Sequence, residues 1–168
     1  MLTQTQSIQS LQNVLSHSLA LQSEQGGEPA LAKKTFTHHI NTYLKDSNAY
    51  TNIYFSRYFE WQGMCREHWF QRHITEDMLQ GQGVLITKSA HNDYVQETFP
   101  FQTVVCTLNT FMVKNCSFFL IFRFYCEGRL VSTGYQQIVF ADQNRRISRF
   151  PEAILQKVRE YEITPDMM

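Results

Sequence analysis

Residues 46–70 hold side chains that could stabilise a negatively charged oxygen atom. The first part, Asp46–Asn52, is dense in turn-forming residues and includes Asn48. An Asn amide does not ionise, so Asn48 can orient a water molecule or hold an oxygen atom but cannot act as a base. The second part, Tyr54–Phe70, contains Arg66, a permanent cation suited to a developing enolate or carboxylate. These residue types indicate catalysis by positioning and by oxyanion stabilisation.

Tyr54–Phe70 is predicted to be a helix because it contains no proline and only one glycine. Its apolar side chains cover most of a helical wheel, which is typical of a helix buried on nearly all sides. The start of such a helix presents unpaired backbone N–H groups at the positive end of its dipole. We therefore expect the N–H near Phe55 to be available to an anionic oxygen.

The segments around this helix have the features of β-strands. Apolar and β-branched residues mark four later strands, which begin near Gly83, Thr103, Phe118 and Leu130. A weaker strand is predicted earlier, within Thr35–Leu44. Short turns at Lys114–Asn115 and Glu127–Gly128 imply antiparallel pairing. Within Thr103–Val113 the apolar phase shifts after Leu108, which predicts a bulge.

Two helical segments flank this body. A C-terminal helix is predicted to open at Pro151. Residues 1–33 are predicted to form an N-terminal extension with a linker at Glu24–Pro29. A short amphipathic helix is plausible in this extension because apolar residues recur there at helical spacing, at Ile8, Leu11, Leu15 and Leu19. We expect residues 34–168 to form the folded domain.

The predicted order is a strand, a buried helix and then four antiparallel strands. A fully buried helix needs a sheet that wraps around it. The sequence therefore favours an α+β protein of the hot-dog fold, in which a curved antiparallel sheet wraps around one long buried helix. Periodicity alone leaves this fold as one α+β candidate among several.

Composition and charge exclude several functional classes. Fifteen Lys and Arg residues balance fifteen Asp and Glu residues, so the basic footprint of a nucleic-acid-binding protein is missing. Residues 1–23 contain no Lys or Arg, which argues against a signal or transit peptide. The longest apolar run, Phe118–Phe122, is too short to cross a bilayer. Four cysteines without a C-x-x-C pair indicate reduced thiols, and the scattered histidines form no metal motif. We expect a cytoplasmic protein without a metal, nucleic-acid or membrane partner.

The stretch from Ser47 to Glu67 resembles a known family. The residues that carry the resemblance are Ser47-Asn48, Asn52-Ile53-Tyr54-Phe55, Arg57-Tyr58 and Trp61-Gln62-Gly63-Met64-Cys65-Arg66-Glu67. They are similar to hot-dog thioesterases of the 4-hydroxybenzoyl-CoA type and, more narrowly, to the branch that works with enediyne polyketide synthases. The resemblance runs from about Phe36 to Tyr161. It departs at Thr51, where the family has a Gly that can adopt backbone conformations closed to β-branched residues.

The resemblance implies roles for individual residues. It assigns catalysis to Asn48 and Arg66, with the backbone amide of Phe55 as the oxyanion hole. Wider relatives place a carboxylate at the position of Asn48, so the implied site lacks an obvious base. The residues expected to bind substrate are Tyr54, Tyr58, Trp61 and Gln62. Glu67 is expected to support Arg66.

The resemblance also implies a substrate and partners. The substrate would be a β-ketoacyl chain on an acyl carrier protein or on a carrier domain of a polyketide synthase. Hydrolysis would release a β-keto acid, which can lose CO₂ to give a methyl ketone. No cofactor is expected, since phosphopantetheine of the carrier protein or of CoA carries the substrate. The family's active sites form between two chains. We therefore expect a homodimer at least, and we favour a homotetramer over a dimer.

Other functions fit parts of the same sequence. A general acyl-CoA thioesterase would use the same fold with a different acyl pocket. A non-catalytic acyl-binding module of a synthase is also compatible with an Asn in place of an acid. A hot-dog dehydratase is disfavoured because the sequence has no His-Phe-Pro pattern. Read alone, Asn48 would be a turn residue or helix cap and Arg66 an ordinary ion-pair partner.

Overall fold

The structure, a computed structural model, describes residue 9 and residues 34–74 and 81–163. Within these ranges the strands are β1 (Phe36–Asn41), β2 (Val84–Tyr94), β3 (Thr103–Phe111), β4 (Ser117–Cys126), β5 (Arg129–Ala141) and β6 (Glu162–Ile163). The helices of the same ranges are a short 3₁₀ helix (Leu44–Asp46), α1 (Arg57–His73) and α2 (Glu152–Arg159). The predicted linker lies outside the described residues, as do the four apolar residues of the predicted N-terminal helix, Ile8, Leu11, Leu15 and Leu19.

Hydrogen bonds join the strands in the order β1-β3-β4-β5-β2, and each neighbouring pair is antiparallel. β6 pairs in parallel with the end of β3. β4 lies at the centre of the sheet and buries side chains on both faces, as its continuous apolar sequence predicts. The curved antiparallel sheet with α1 packed against it confirms the predicted α+β class and the hot-dog fold.

α1 buries one face and not its whole surface. Its buried side chains follow the spacing of a single helical stripe and are Tyr58, Trp61, Gln62, Cys65 and Trp69. On the outer face Phe59 is 37% exposed and Met64 is 45% exposed. The expectation of a helix buried on nearly all sides is therefore wrong for the single chain, because the sheet covers α1 from one side only.

The bulge predicted within β3 is also wrong. The register between β3 and β4 runs without interruption from the pair Val104–Cys126 to the pair Phe111–Phe119. The apolar pattern changes phase because Phe111 faces the opposite side of the sheet, where it packs in a second apolar cluster with Ile163. Register shifts occur instead within β2 and between β4 and β5.

The turn and helix signals in the second half of the chain are confirmed. Glu127 and Gly128 have φ angles of 51° and 76°, as a two-residue hairpin turn requires. α2 begins directly after Pro151 and buries Leu155 and Val158 against the core. β6 was not predicted, because two residues are too few to show a periodic pattern. No helix among the described residues is long and apolar enough to cross a membrane.

Candidate active site

A cleft of about 300 Å³ lies where the turn after the 3₁₀ helix meets the first turn of α1. Its first wall comes from residues within 48–58, and its second wall is residues 94–98, at the end of β2 and the start of the loop to β3. Four residues that the sequence predicted as site residues line this cleft, namely Asn48, Tyr54, Phe55 and Tyr58. None of the residues of the second wall was predicted from the sequence as a site residue.

Three hydrogen bonds hold the second wall against the start of α1. The N–H of Ile53 donates to the carbonyl oxygen of Thr98 at 2.8 Å, and the hydroxyls of Tyr58 and Thr98 lie 2.8 Å apart. The Tyr94 hydroxyl donates to the carbonyl oxygen of Phe55, also at 2.8 Å. The two walls therefore form one unit, although Tyr58 and Thr98 are 40 residues apart in the chain.

Asn48 uses one end of its amide to stabilise its own turn. Its backbone N–H donates to the carbonyl of Asn52 at 2.9 Å, and its Oδ1 accepts the backbone N–H of Tyr50 at 2.8 Å. Because a backbone N–H only donates, this second bond identifies the oxygen end of the amide. No described residue accepts a hydrogen bond from Asn48 Nδ2, so the half-buried side chain offers an N–H donor to the cleft.

The backbone at Phe55 offers a second donor. α1 begins at Arg57, later than the predicted start at Tyr54, and the residues between form a turn. The Phe55 carbonyl accepts hydrogen bonds from the Tyr58 N–H and the Tyr94 hydroxyl, whereas its N–H meets no acceptor among the described residues. An unpaired N–H at the positive end of a helix favours an anionic oxygen. Asn48 and Phe55 thus bring two donors to one cleft.

Tyr58 forms a buried part of the first wall. Its ring meets Trp61 and Phe124 edge-on, with centroid distances of 4.9 and 5.1 Å. Burial raises the pKa of Tyr58 to about 12, and the hydrogen bond with Thr98 partly opposes this shift. Tyr58 is therefore a neutral phenol near pH 7, which orients neighbouring groups and does not take up protons. Trp61 lies behind it in the core and does not line the cleft.

Arg66 lies outside this cleft, two helical turns beyond Tyr58. Its Nη1 donates to Thr87 Oγ1 and, at 3.0 Å, to Gln136 Oε1. Its Nε is buried and forms no hydrogen bond with the described residues. Burial lowers the pKa of Arg66, and the charge of the exposed Glu67 partly opposes this shift. Within one chain the structure does not bring Arg66 together with Asn48.

Gln62 is fully buried in a polar network and does not line the cleft. Its Nε2 donates to Asn92 Oδ1 and to the carbonyl of His91, both at 3.0 Å, and its Oε1 accepts from Gln136 at 3.3 Å. The absence of a side chain at Gly134 makes room for this amide, since a Cβ there would lie 2.2 Å from Gln62 Nε2. Gln62 therefore links α1 to β2 and β5, and Gln136 extends the network to Arg66.

Thr51 stands where the resembling family has Gly, and its φ angle is 71°. This is the left-handed region, which Gly enters freely and a β-branched residue enters at a cost. The Thr51 N–H donates to the Asn48 carbonyl at 3.0 Å and closes the turn. The loop thus keeps a backbone shape that suits Gly, and Thr51 carries the strain.

Glu97 lines the second wall and was not predicted from the sequence as a site residue. Its Oε1 accepts a hydrogen bond from Asn52 Nδ2 at 2.7 Å, across a separation of 45 residues. No local motif marks Glu97, because strand pairing alone brings its loop to the cleft. Among residues 34–74 and 81–163, no group of three or more His, Cys, Asp or Glu side chains could hold a metal ion.

Comparison of the sequence with protein families gives one match to this chain. The model of the thioesterase-like superfamily matches residues 43–158, which include the cleft residues and α1. No curated protein sequence matches the chain.

Solved structures are similar over most of this chain. The dynemicin thioesterase, described with bound polyene, is 20% identical with a TM-score of 0.70, over 78% of this chain and 99% of that one. A 1,4-dihydroxy-2-naphthoyl-CoA thioesterase from Synechocystis is 15% identical with a TM-score of 0.67, over 74% and 96%. A Staphylococcus aureus protein in complex with CoA is 19% identical with a TM-score of 0.72, over 80% and 90%. At these identities the similarity establishes the fold alone.

Proposed function

The chain belongs to the thioesterase-like superfamily, and we propose that it hydrolyses an acyl thioester in the cleft between Asn48, Phe55 and the second wall. One observation carries this proposal. Asn48 and Phe55 line the same cleft, and neither the Asn48 Nδ2 group nor the Phe55 N–H donates to an acceptor among the described residues. Two such donors are the arrangement that a thioester carbonyl needs when it becomes an oxyanion.

The reaction proceeds through a tetrahedral intermediate. Water attacks the thioester carbonyl carbon, and the negative charge that develops on oxygen is held by the Phe55 N–H and Asn48 Nδ2. The positive end of α1 adds to this stabilisation because it lies beside the Phe55 N–H. Collapse of the intermediate then breaks the C–S bond and releases a carboxylic acid and a thiol. No cofactor takes part, since the thioester itself is the activated group.

We assign the acyl group to the β-ketoacyl class and the carrier to an acyl carrier protein or a carrier domain of a polyketide synthase. The match of Trp61–Glu67 to the enediyne-associated branch supports this assignment, as does the likeness to the dynemicin thioesterase. The released β-keto acid would then lose CO₂ to give a methyl ketone. The free, buried thiols of Cys65, Cys106 and Cys126 support a reducing, cytoplasmic location.

A general acyl-CoA thioesterase is the second candidate. The CoA bound to the Staphylococcus aureus structure and the CoA ester named for the Synechocystis enzyme favour it. Both candidates use the same donors, because the thioester bond and its phosphopantetheine arm are common to both carriers. The two candidate functions differ only in the shape of the acyl pocket and in whether the protein surface contacts a carrier protein or the nucleotide part of CoA.

The test is turnover of matched thioesters by the purified chain. β-Ketoacyl and saturated acyl chains of equal length, each on carrier protein and on CoA, are assayed by release of free thiol. We expect the β-ketoacyl carrier-protein substrate to have the highest kcat/KM. A preference for the CoA esters would favour the second candidate. No release from any substrate would instead favour a non-catalytic acyl-binding module.

A further inference from the structure

We propose that Glu97 is the general base that activates the hydrolytic water, and that Asn52 positions its carboxylate. This inference rests on the proposed thioester hydrolysis and supplies the general base that Asn48 cannot be, since its amide does not ionise. Among the described residues that line the cleft, Glu97 is the only one with a carboxylate. Its side chain is exposed, so bulk water reaches it directly.

The contacts of Asn52 hold the carboxylate in place relative to the donors. Asn52 Nδ2 donates to Glu97 Oε1 at 2.7 Å. The carbonyl of Asn52 accepts the Asn48 N–H at 2.9 Å, and the next residue, Ile53, donates to Thr98 at 2.8 Å. Glu97 is therefore connected through one residue to the turn that carries the Asn48 donor, and its Oε2 has no partner among the described residues.

A second feature beside Glu97 is the environment of the Asn52 amide. Asn52 Oδ1 is buried and accepts no hydrogen bond from the described residues. The bond to Glu97 identifies Nδ2 as the other end of this amide, because a carboxylate only accepts. A buried acceptor left unpaired is costly, and it persists here because the other end of the amide holds the Glu97 carboxylate. Water reaches the exposed Glu97 side chain at Oε2, which has no partner among the described residues.

Glu97 takes a proton from water while the water oxygen forms a bond to the thioester carbonyl carbon. The carbonyl electron pair moves to oxygen, where Asn48 Nδ2 and the Phe55 N–H hold it. When the intermediate collapses, the C–S bond breaks and Glu97 returns its proton to the leaving thiolate. The products are a carboxylic acid and a thiol, and Glu97 is again ionised.

Glu97→Gln tests the base, because it keeps the shape of the side chain and removes proton uptake. We expect its kcat for hydrolysis to fall by roughly 10²- to 10⁴-fold, the usual contribution of a general base. Hydroxylamine attacks thioesters without prior loss of a proton, so formation of the hydroxamate should stay close to the wild-type rate. Asn52→Ala should show the same split between the two nucleophiles with a smaller loss. Added formate should partly restore hydrolysis to Glu97→Ala and not to Glu97→Gln.

The controls separate this inference from the proposed function. Asn48→Ala should lose both hydrolysis and hydroxamate formation, because both reactions need the oxyanion donors. Glu152→Gln, which changes an exposed Glu outside the cleft, should behave like the wild type. If the wild type hydrolyses thioesters and Glu97→Gln retains more than half of that activity, Glu97 is not the base, and the proposed hydrolysis stands. An inactive wild type overturns the proposed function and this inference together.

Discussion

Asn48 has two tasks in the structure, and its amide divides them between its two ends. Oδ1 closes the turn by accepting the Tyr50 N–H, and Nδ2 is left for the cleft. An Asp at this position would keep the first task and lose the donor, because an ionised carboxylate only accepts hydrogen bonds. An Asn at position 48 is therefore consistent with a site in which the base is another residue, Glu97.

Asn48→Ala separates these two tasks. We expect kcat to fall by roughly 10²- to 10³-fold, as when one oxyanion donor is removed. Loss of the turn bond should lower the free energy of unfolding by only about 1 kcal/mol. Thiol release and urea unfolding measure the two effects, with the exposed Asn144→Ala as the matched control. An unchanged rate with reduced stability would make Asn48 a turn residue only.

Thr51 shows that strain can be retained beside a functional turn. A β-branched residue with a φ of 71° is held there by the bond from its N–H to Asn48 and by the neighbouring bridge between Ser47 and Ile53. A left-handed non-Gly residue costs of order 1–3 kcal/mol. The surrounding hydrogen bonds offset this cost, so the turn keeps its shape.

Thr51→Gly should relieve this strain. We expect the free energy of unfolding to rise by about 1 kcal/mol, since the relief exceeds the extra chain entropy that Gly loses on folding. Urea unfolding measures the change, and Thr51→Ala should give a smaller gain because Ala also disfavours this region. A less stable Thr51→Gly variant would show that the Thr side chain has a stabilising contact that outweighs its strain.

Among the helices and strands, α1 contributes to the cleft, to the buried Gln62 network and to the surroundings of Arg66. The turn before it supplies the Phe55 N–H, its second turn supplies Gln62, and its third supplies Arg66. It also packs its His68 on His38 of β1, with ring centroids 4.3 Å apart. Burial lowers the pKa of His38, and the charges of His68, Arg72 and His39 add to this effect. The contact between α1 and β1 therefore favours neutral His38.

This contact makes stability depend on pH. The pKa of His38 is lower in the folded chain than the ordinary value near 6.5, so the unfolded chain binds more protons at mildly acidic pH. Its contribution to stability is complete above about pH 6.5 and is lost as pH falls towards the folded value. We expect His38→Gln to reduce the difference in the free energy of unfolding between pH 7.5 and 5.5. His39→Gln, an exposed neighbour, is the control, and an equal pH dependence in wild type and His38→Gln would contradict the argument.

In the whole molecule, one chain does not bring all the predicted catalytic residues into one site. Arg66 lies outside the cleft that holds Asn48, and the outer edge of β2 pairs with no other described strand. An unpaired edge of eleven residues invites pairing with a second copy. The exposed Phe59 and Met64 on α1 offer a further apolar surface for a tetramer. We therefore propose that Arg66 of one chain serves the cleft of another.

Subunit mixing tests this arrangement. Arg66→Ala and Asn48→Ala should each fold and turn over slowly on their own. If Arg66 and Asn48 act across an interface, random pairing of the two variants restores about a quarter of the wild-type activity, since half of the pairs carry one intact site. Light scattering should give a mass of two or four chains. A single-chain mass for the active wild type, or a mixture no more active than its parts, would contradict the shared site.

Local sequence signals specify most of the helices and strands and much of the first wall of the cleft. Turn residues at Asp46–Asn52, the hairpin at Glu127–Gly128 and Pro151 before α2 act through local backbone preferences, which neighbours in the chain suffice to specify. The position of the Phe55 amide before a helix follows from the same local signals. Thr51 was recognised as a departure, but whether the turn changed shape depended on the hydrogen bonds around it.

Long-range packing of the chain determines which side chains line the cleft together. Glu97 reaches Asn52 because β2 and the loop after it pack against the start of α1, and no local pattern encodes that approach. Arg66 was grouped with Asn48 by resemblance, yet one chain separates them, since helical spacing carries Arg66 towards Thr87 and Gln136. Long-range strand pairing determines the surroundings of the Glu97 carboxylate and of the Arg66 guanidinium. Their positions relative to the cleft therefore cannot be predicted from local sequence.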